Sequence, residues 1–201
     1  MHIETENRAI SQELQALHKL IADNGAFFHP SLKVIEKGGE LSLASDLPAQ
    51  SRDRLIAVPE NCLPSIDDYD FSVCDGRILF KQKSGVEPST LKTKLLEHQI
   101  NIFNESEKLH QHRQSSIWFN LPDHPELQDH IIKGRAEAPN STRFQGYKNQ
   151  NMDDHLLLES FFKTRVFAFK NCKEDNITSL LMPFIDFANH HPQAHRIMQT
   201  L

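Results

Sequence analysis

The sequence has few cysteines and no apolar run long enough to span a membrane. Its three cysteines, Cys62, Cys74 and Cys172, form no Cys-x-x-Cys pair, which argues against a disulfide framework and against a zinc knuckle. No apolar run approaches the roughly 20 residues that cross a bilayer, and the acidic N-terminus lacks the core of a signal peptide. We therefore expect a cytoplasmic protein with ordinary thiols and no membrane partner.

The sequence also lacks a block of basic residues. Its 22 Lys and Arg are interspersed with 27 Asp and Glu, which gives a formal charge of −5. Nucleic-acid binding usually requires a basic stripe that neutralises phosphates, so the charge pattern does not favour a nucleic-acid partner. With 201 residues and 38% hydrophobic content, the chain can bury one substantial core and carry a helical appendage.

Apolar spacing predicts a helix followed by a turn-rich β region. Over residues 7–22, Ile10, Leu14, Leu17 and Ile21 form one helical stripe, and Asn24-Gly25 is a typical helix stop. Short β-like runs follow at residues 32–35, 41–44, 55–58 and 78–80.

A helical insert is predicted after this β region. Ser89 and Thr90 can cap a helix that directs Leu91, Leu95, Ile102, Phe103 and Leu109 toward a core. Residues 139–150 are polar and predict a loop, and a last helix from Asp153 carries Leu157, Leu158, Phe161, Phe162 and Val166 before a polar connection at residues 170–176. The predicted class is α+β, with an N-terminal helix at 1–25, a β region at 26–85, a helical insert at 86–163 and a C-terminal part at 164–201.

The most informative stretch covers residues 179–192, which read Ser-Leu-Leu-Met-Pro-Phe-Ile-Asp-Phe-Ala-Asn-His-His-Pro. An apolar strand runs into a proline and then into an Asp-x-x-Asn-His turn. Asp186 and Asn189 are three residues apart, so each can bond the backbone of a turn. His190 then lies at a strand end that a ligand can approach.

This stretch resembles the Leu-x-Pro-x-x-Asp-x-x-Asn-His signature of SET-domain protein lysine methyltransferases of the Rubisco large-subunit methyltransferase type. Thr164-Arg165-Val166-Phe167 resembles the Ser-Arg-x-Phe that ends the last helix of that family's insert. Weaker likenesses are the Gly-Ala-x-Phe at residues 25–28, the Leu-Ile-Ala-Val-Pro at residues 55–59, which is similar to the family's Ile-x-x-Val-Pro, and the Trp-Phe-x-Leu-Pro at residues 118–122. The resemblance covers about residues 25–192 and implies a SET-like fold.

One part of the pattern departs from the family. The family's glycine turn is usually Gly-x-Gly followed by Leu, whereas this chain reads Gly38-Gly39-Glu40-Leu41. Glutamate takes a positive φ only at a cost that glycine avoids. The side chain of Glu40 could also crowd a bound nucleoside, so this departure argues against cofactor binding at this edge.

The resemblance implies S-adenosylmethionine as cofactor and a protein that presents a lysine as substrate. Carried over by position, Asn189 and His190 would hold the cofactor through backbone and amide contacts. Arg165 with Thr164 would meet its methionine portion. Asp186 would brace the turn, and Gly38 with Leu41 would line the nucleoside side.

The family also has a catalytic tyrosine after the Asn-His turn, and no catalytic residue can be assigned here. The tyrosines of this sequence are Tyr69 and Tyr147, both upstream of that turn. We therefore expect a SET-like domain that is C-terminally incomplete, as a truncated piece or a degenerate relative, with doubtful activity.

Other functions and roles stay open at this point. One alternative is a non-catalytic SET-like module that binds a protein partner, and a weaker one is a metal-dependent hydrolase built on His190, His191 and His195. Arg165 could have a purely structural role as an interior arginine that pairs with Asp186. Asp186 itself is expected to brace a turn rather than to act as a general acid or base.

Overall fold

The protein is described by a computed structural model that covers residues 1–48, 53–106, 126, 158, 161–162, 165–171 and 176–187. The described residues mix helices with several small sheets, which confirms the predicted α+β class. The strands are β1 (His2–Thr5), β2 (Phe27–Phe28), β3 (Leu32–Lys37), β4 (Glu40–Ser45), β5 (Ile56–Ala57), β6 (Tyr69–Cys74), β7 (Arg77–Gln82), β8 (Val166–Asn171) and β9 (Asn176–Leu181). The helices are α1 (Arg8–Ala22) and α2 (Thr90–Glu105), with short 3-10 turns at Glu60–Cys62, Ile66–Asp68 and Ile185–Phe187.

Helix α1 forms as its apolar spacing predicts. The four residues of the predicted stripe are all fully buried, and burying a Leu or Ile side chain contributes about 1.5–3 kcal/mol. The side chain of Asn7 caps the helix by accepting hydrogen bonds from the backbone N–H groups of Ala9 and Ile10. After the helix, Gly25 has a φ of +94°, so the predicted stop is confirmed.

The strands β1, β3 and β4 form one sheet. Strand β1 pairs in parallel with β3, and β3 pairs antiparallel with β4. The β3–β4 hairpin turns through Gly38 and Gly39, whose φ angles are +57° and +80°, as a tight two-residue turn requires. Glu40 begins β4 opposite Lys37 and is exposed. Both left-handed positions of the turn therefore fall on glycines, and Glu40 does not have a positive φ.

A buried carboxylate joins this hairpin to the start of α1. Glu36 is 3% exposed, and its Oε2 accepts hydrogen bonds from the N–H groups of Glu6 and Asn7, both at 2.9 Å. Its Oε1 accepts from the N–H of Gly39, also at 2.9 Å. One side chain thus satisfies donors from two separate segments of the chain.

Replacing Glu36 by alanine is expected to lower the free energy of unfolding by about 1–3 kcal/mol, because backbone donors lose their buried acceptor. The measurement is urea unfolding followed by circular dichroism. Glu40→Ala is the matched control, since it removes an exposed glutamate from the same hairpin and should change stability by less than about 0.5 kcal/mol. Equal losses in the two variants would contradict this role of Glu36.

Most of the buried apolar residues that the structure describes belong to two clusters. We call the first the N-terminal core, and it consists of Ile10, Leu14, Leu17, Ile21, Val34, Leu41, Cys62, Leu95, Ile102, Phe184 and Phe187. We call the second the hairpin core, and it consists of Ile66, Tyr69, Phe71, Ile78, Leu96, Ile100, Phe103, Leu158, Phe161, Phe162 and Leu181. Helix α2 contributes residues to both cores.

Helix α2 has the predicted start and a second polar attachment. Ser89 accepts a hydrogen bond from the N–H of Lys92, which confirms the predicted cap. Near the other end, the Asn104 amide accepts from the N–H of Ile78 at 2.8 Å and donates to its C=O at 2.9 Å. Asn104 thereby satisfies backbone groups of β7 that β6 leaves unpaired at this position.

The chain around β8 differs from the prediction. Leu158, Phe161 and Phe162 are helical and buried, as expected, but Val166 begins β8 and does not extend the helix. Strands β8 and β9 then pair from Val166 opposite Leu181 to Asn171 opposite Asn176, so the described residues of the predicted polar connection, 170–171 and 176, are strand. The predictions for residues 109, 118–122, 139–150 and 153–157 lie outside the described residues, and within the predicted insert Glu126 is helical.

Two further observations concern the membrane and thiol predictions. In the described part of the chain, no helix combines the length and the apolar character needed to cross a membrane. Cys62 is buried, Cys74 is exposed, and both are free thiols.

Candidate functional site

The structure brings together two of the predicted site residues, Arg165 and Asp186. Arg165 directly precedes β8, and Asp186 lies in the 3-10 turn that follows β9. Because Val166 pairs with Leu181, both residues lie at the same end of this hairpin. Arg165 Nη1 donates to the backbone carbonyl oxygen of Asp186 and lies 3.4 Å from its carboxylate Oδ2. The two side chains are 4% and 6% exposed.

This contact is the Arg165–Asp186 pairing that the sequence suggested as a structural alternative. A buried ion pair is weak evidence for stability, because removing both charges from water offsets much of their attraction. Removing one partner alone is costly, since the other charge stays buried. The pair therefore fixes the position of the Asp186 turn relative to the start of β8.

The guanidinium of Arg165 lies between the two cores. Its Cζ is 5.3 Å from the ring centre of Phe103, in the hairpin core, and 5.8 Å from that of Phe187, in the N-terminal core. Both distances permit attraction between the cation and the ring faces. Arg165 Nε has no hydrogen-bond partner among the described residues, so one buried donor is available for an acceptor.

The turn that carries Asp186 has an unusual backbone. Phe184 has a φ of +67°, a conformation that costs a residue other than glycine about 1–3 kcal/mol. The Phe184 ring is fully buried and meets the rings of Phe28 at 5.3 Å and Phe187 at 5.7 Å, both edge to face. Each such pair contributes about 0.5–1.5 kcal/mol beyond burial, which is enough to offset the backbone strain.

Gly38 and Leu41 occupy different environments. Gly38 is exposed at the tip of the β3–β4 hairpin, and its N–H donates to Glu6 Oε2 at 3.4 Å. Leu41 is 1% exposed and belongs to the N-terminal core together with Phe184 and Phe187. Strand β4 also contacts the turn at Ile185–Phe187. The structure thus places Leu41 in the core beneath the Asp186 turn, and Gly38 at the exposed end of the same strand pair.

The remaining predicted site residues, Thr164, Asn189 and His190, lie outside the described residues. The same holds for His191 and His195, on which the metal alternative rests. Within the ranges that the structure describes, no group of three or more His, Cys, Asp or Glu residues could hold a metal ion.

Sequence reasoning missed His18, which lies near this site. Its ring is 4.7 Å from that of Phe28 and 6.3 Å from that of Phe184. Burial lowers the pKa of His18 below its ordinary value of 6.5, and the N-terminal ammonium group lowers this pKa further. The sequence did contain a signal for the position of His18. His18 has helical spacing from Leu14 and Ile21, so it lies on the same side of α1 as the apolar stripe.

His18 makes stability depend on pH in a defined direction. Because its pKa is lower in the folded state, the unfolded chain binds the proton more readily. The stabilising effect is complete above pH 6.5 and is lost as the pH falls from 6.5 toward the folded-state pKa. His18→Phe should therefore reduce the loss of stability between about pH 7.5 and about pH 5.5.

Urea midpoints at the two pH values measure this effect. His2→Ala is the control, because His2 is an exposed residue of β1 beside Glu4 and its replacement leaves the contribution of His18 in place. An identical pH dependence in His18→Phe and the parent chain would contradict the assignment.

Comparisons with known proteins gave no match: no protein-family model, no curated protein and no solved structure matches this chain. The SET-like likeness of residues 25–192 therefore stays a prediction. The assigned roles of Thr164, Asn189 and His190 stay predictions as well.

Proposed function

We propose that this chain has a SET-like fold and binds S-adenosylmethionine for methyl transfer to a protein lysine. The observation that carries the proposal is the buried Arg165, which bonds Asp186 through Nη1 and has no partner for Nε among the described residues. The Arg165 and Asp186 positions are also those at which this sequence resembles the family's two most specific motifs.

The charges of this pair suit the methionine end of the cofactor. That end carries one carboxylate and one ammonium group, so its addition beside a paired Arg165 and Asp186 changes no net charge. Carboxylates form strong, charge-assisted hydrogen bonds with guanidinium N–H groups. Arg165 Nε supplies such a donor in a site from which water is largely excluded.

The other predicted contacts would complete the site. Leu41 and Phe187 would support its apolar floor from the N-terminal core, and Gly38 leaves the hairpin tip without a side chain. Thr164, Asn189 and His190 would supply further contacts, as the family resemblance implies. Bound cofactor supplies an electrophilic methyl group, and the protein's part is to align a neutral lysine amine with it and to exclude water.

Tyr69 does not suit the role of the family's catalytic tyrosine. It is buried in the hairpin core, and its hydroxyl lies 3.1 Å from the Thr93 Oγ1. Tyr147 lies outside the described residues. We therefore assign no catalytic residue and restrict the first test to cofactor binding.

A second candidate is a non-catalytic SET-like module that binds a protein partner. It is favoured by the contacts of Arg165 with the backbone and the carboxylate of Asp186, because these contacts and two aromatic rings give the buried arginine a structural role without any ligand. In this case Arg165 and Asp186 are retained from an ancestral cofactor site but no longer bind a cofactor.

Calorimetric titration with S-adenosylmethionine and with its demethylated product tests the proposal. We expect saturable binding to one site, weakened at least about tenfold by Arg165→Lys, because lysine keeps the charge but has no planar group of fixed N–H donors. Asn189→Ala should weaken binding in the same way.

Arg77→Lys is the matched control for this titration. Arg77 pairs with Glu105 at 2.7 Å on the exposed side of the hairpin core, so its replacement should leave binding unchanged. No binding by a parent chain with a cooperative unfolding transition would sink the cofactor proposal and favour the binding module. Equal weakening by Arg77→Lys and Arg165→Lys would show that the site lies elsewhere.

A further inference from the structure

The left-handed backbone at Phe184 is held by contacts from distant parts of the chain. Bulky aromatic residues avoid positive φ, so such a residue persists only where its surroundings determine it. Here the fully buried ring of Phe184 packs against Phe28 of β2 and lies near His18 of α1. His18 and Phe28 also contact each other, with ring centres 4.7 Å apart.

The same residue sets the path of the site turn. The N–H of Phe187 donates to the carbonyl oxygen of Phe184 at 3.1 Å, and the N–H of Asp186 donates to that of Met182 at 3.2 Å. A change of Phe184 to a negative φ would redirect the residues that follow it. Asp186 would then leave Arg165, and the ring of Phe187 would leave the guanidinium.

We propose that Phe184 is a positioning residue, held in its left-handed conformation by Phe28 and His18, that presents Asp186 and Phe187 to Arg165. Helix α1 and strand β2 thereby determine the geometry of a turn that belongs to neither element. The inference concerns how the site is held and does not depend on which ligand binds there.

Amide hydrogen exchange of Phe187 and Asp186, relative to the ladder amides of β3 and β4, tests this proposal. Phe184→Leu keeps the strained backbone but removes the ring contacts, so we expect the relative protection of these two amides to fall about tenfold. Phe184→Gly removes the strain, because glycine adopts positive φ freely. The glycine variant should therefore retain more local protection than the leucine variant, although its overall stability is lower.

This order distinguishes positioning from simple packing. If Phe184 only fills space, protection follows side-chain size and leucine is the better replacement, which would overturn the proposal. Unchanged protection in both variants would overturn it as well. Phe71→Leu is the matched control, because it removes a buried ring from the hairpin core and should leave the relative protection of the turn unchanged.

A second pair of variants keeps the test decisive if the Phe184 variants do not fold. His18→Ala should lower the relative protection of the Phe187 amide, whereas His18→Phe should restore it by returning an aromatic edge beside Phe28. Equal protection in the two variants would overturn the role of His18. A parent chain that fails to bind S-adenosylmethionine contradicts the proposed function alone, since the exchange experiments contain no cofactor.

Discussion

The burial of the Arg165 charge between the two cores is the constraint on which the site depends. The cation lies between a ring of the hairpin core and a ring of the N-terminal core, and its counter-ion belongs to the turn after β9. An arginine in such a place needs a carboxylate and a well-defined surrounding, because an unpaired buried charge is strongly unfavourable. The relative position of β8, β9 and the Asp186 turn is thereby restricted to arrangements that satisfy this one side chain.

The elements around Arg165 and Asp186 supply the carboxylate and the ordered surroundings that a buried arginine needs. Helix α2 places Phe103 on one side of the guanidinium, and the β8–β9 register places Asp186 beside it. Apolar residues of the N-terminal sheet and of α1 pack against Phe184 and Phe187 of the turn. Glu36 is a second buried carboxylate in this region, and among the described residues its hydrogen-bond donors are backbone N–H groups. Both acidic groups act by joining segments that are distant in sequence.

The sequence was informative where the signal was local. The apolar stripe of α1 and the Ser89 cap of α2 depend on neighbouring residues, and both were predicted. Strand β1 was missed because its residues are mostly polar and become a strand by pairing with β3. Strand β8 was missed because a short apolar run fits both a helix and a strand. The Arg165–Asp186 pair followed from residue types, whereas His18 and Phe28 reach the site only through tertiary packing.

The spread of the site along the sequence has a consequence for folding. Contacts among His18, Phe28 and Phe184 close a loop that includes most of the chain, and closing long loops is slow and entropically unfavourable until other contacts hold the ends together. Local units such as α1 and the β3–β4 hairpin can form early. The left-handed conformation of Phe184 depends on contacts with residues near the other end of the sequence, so we expect it to form after these local units.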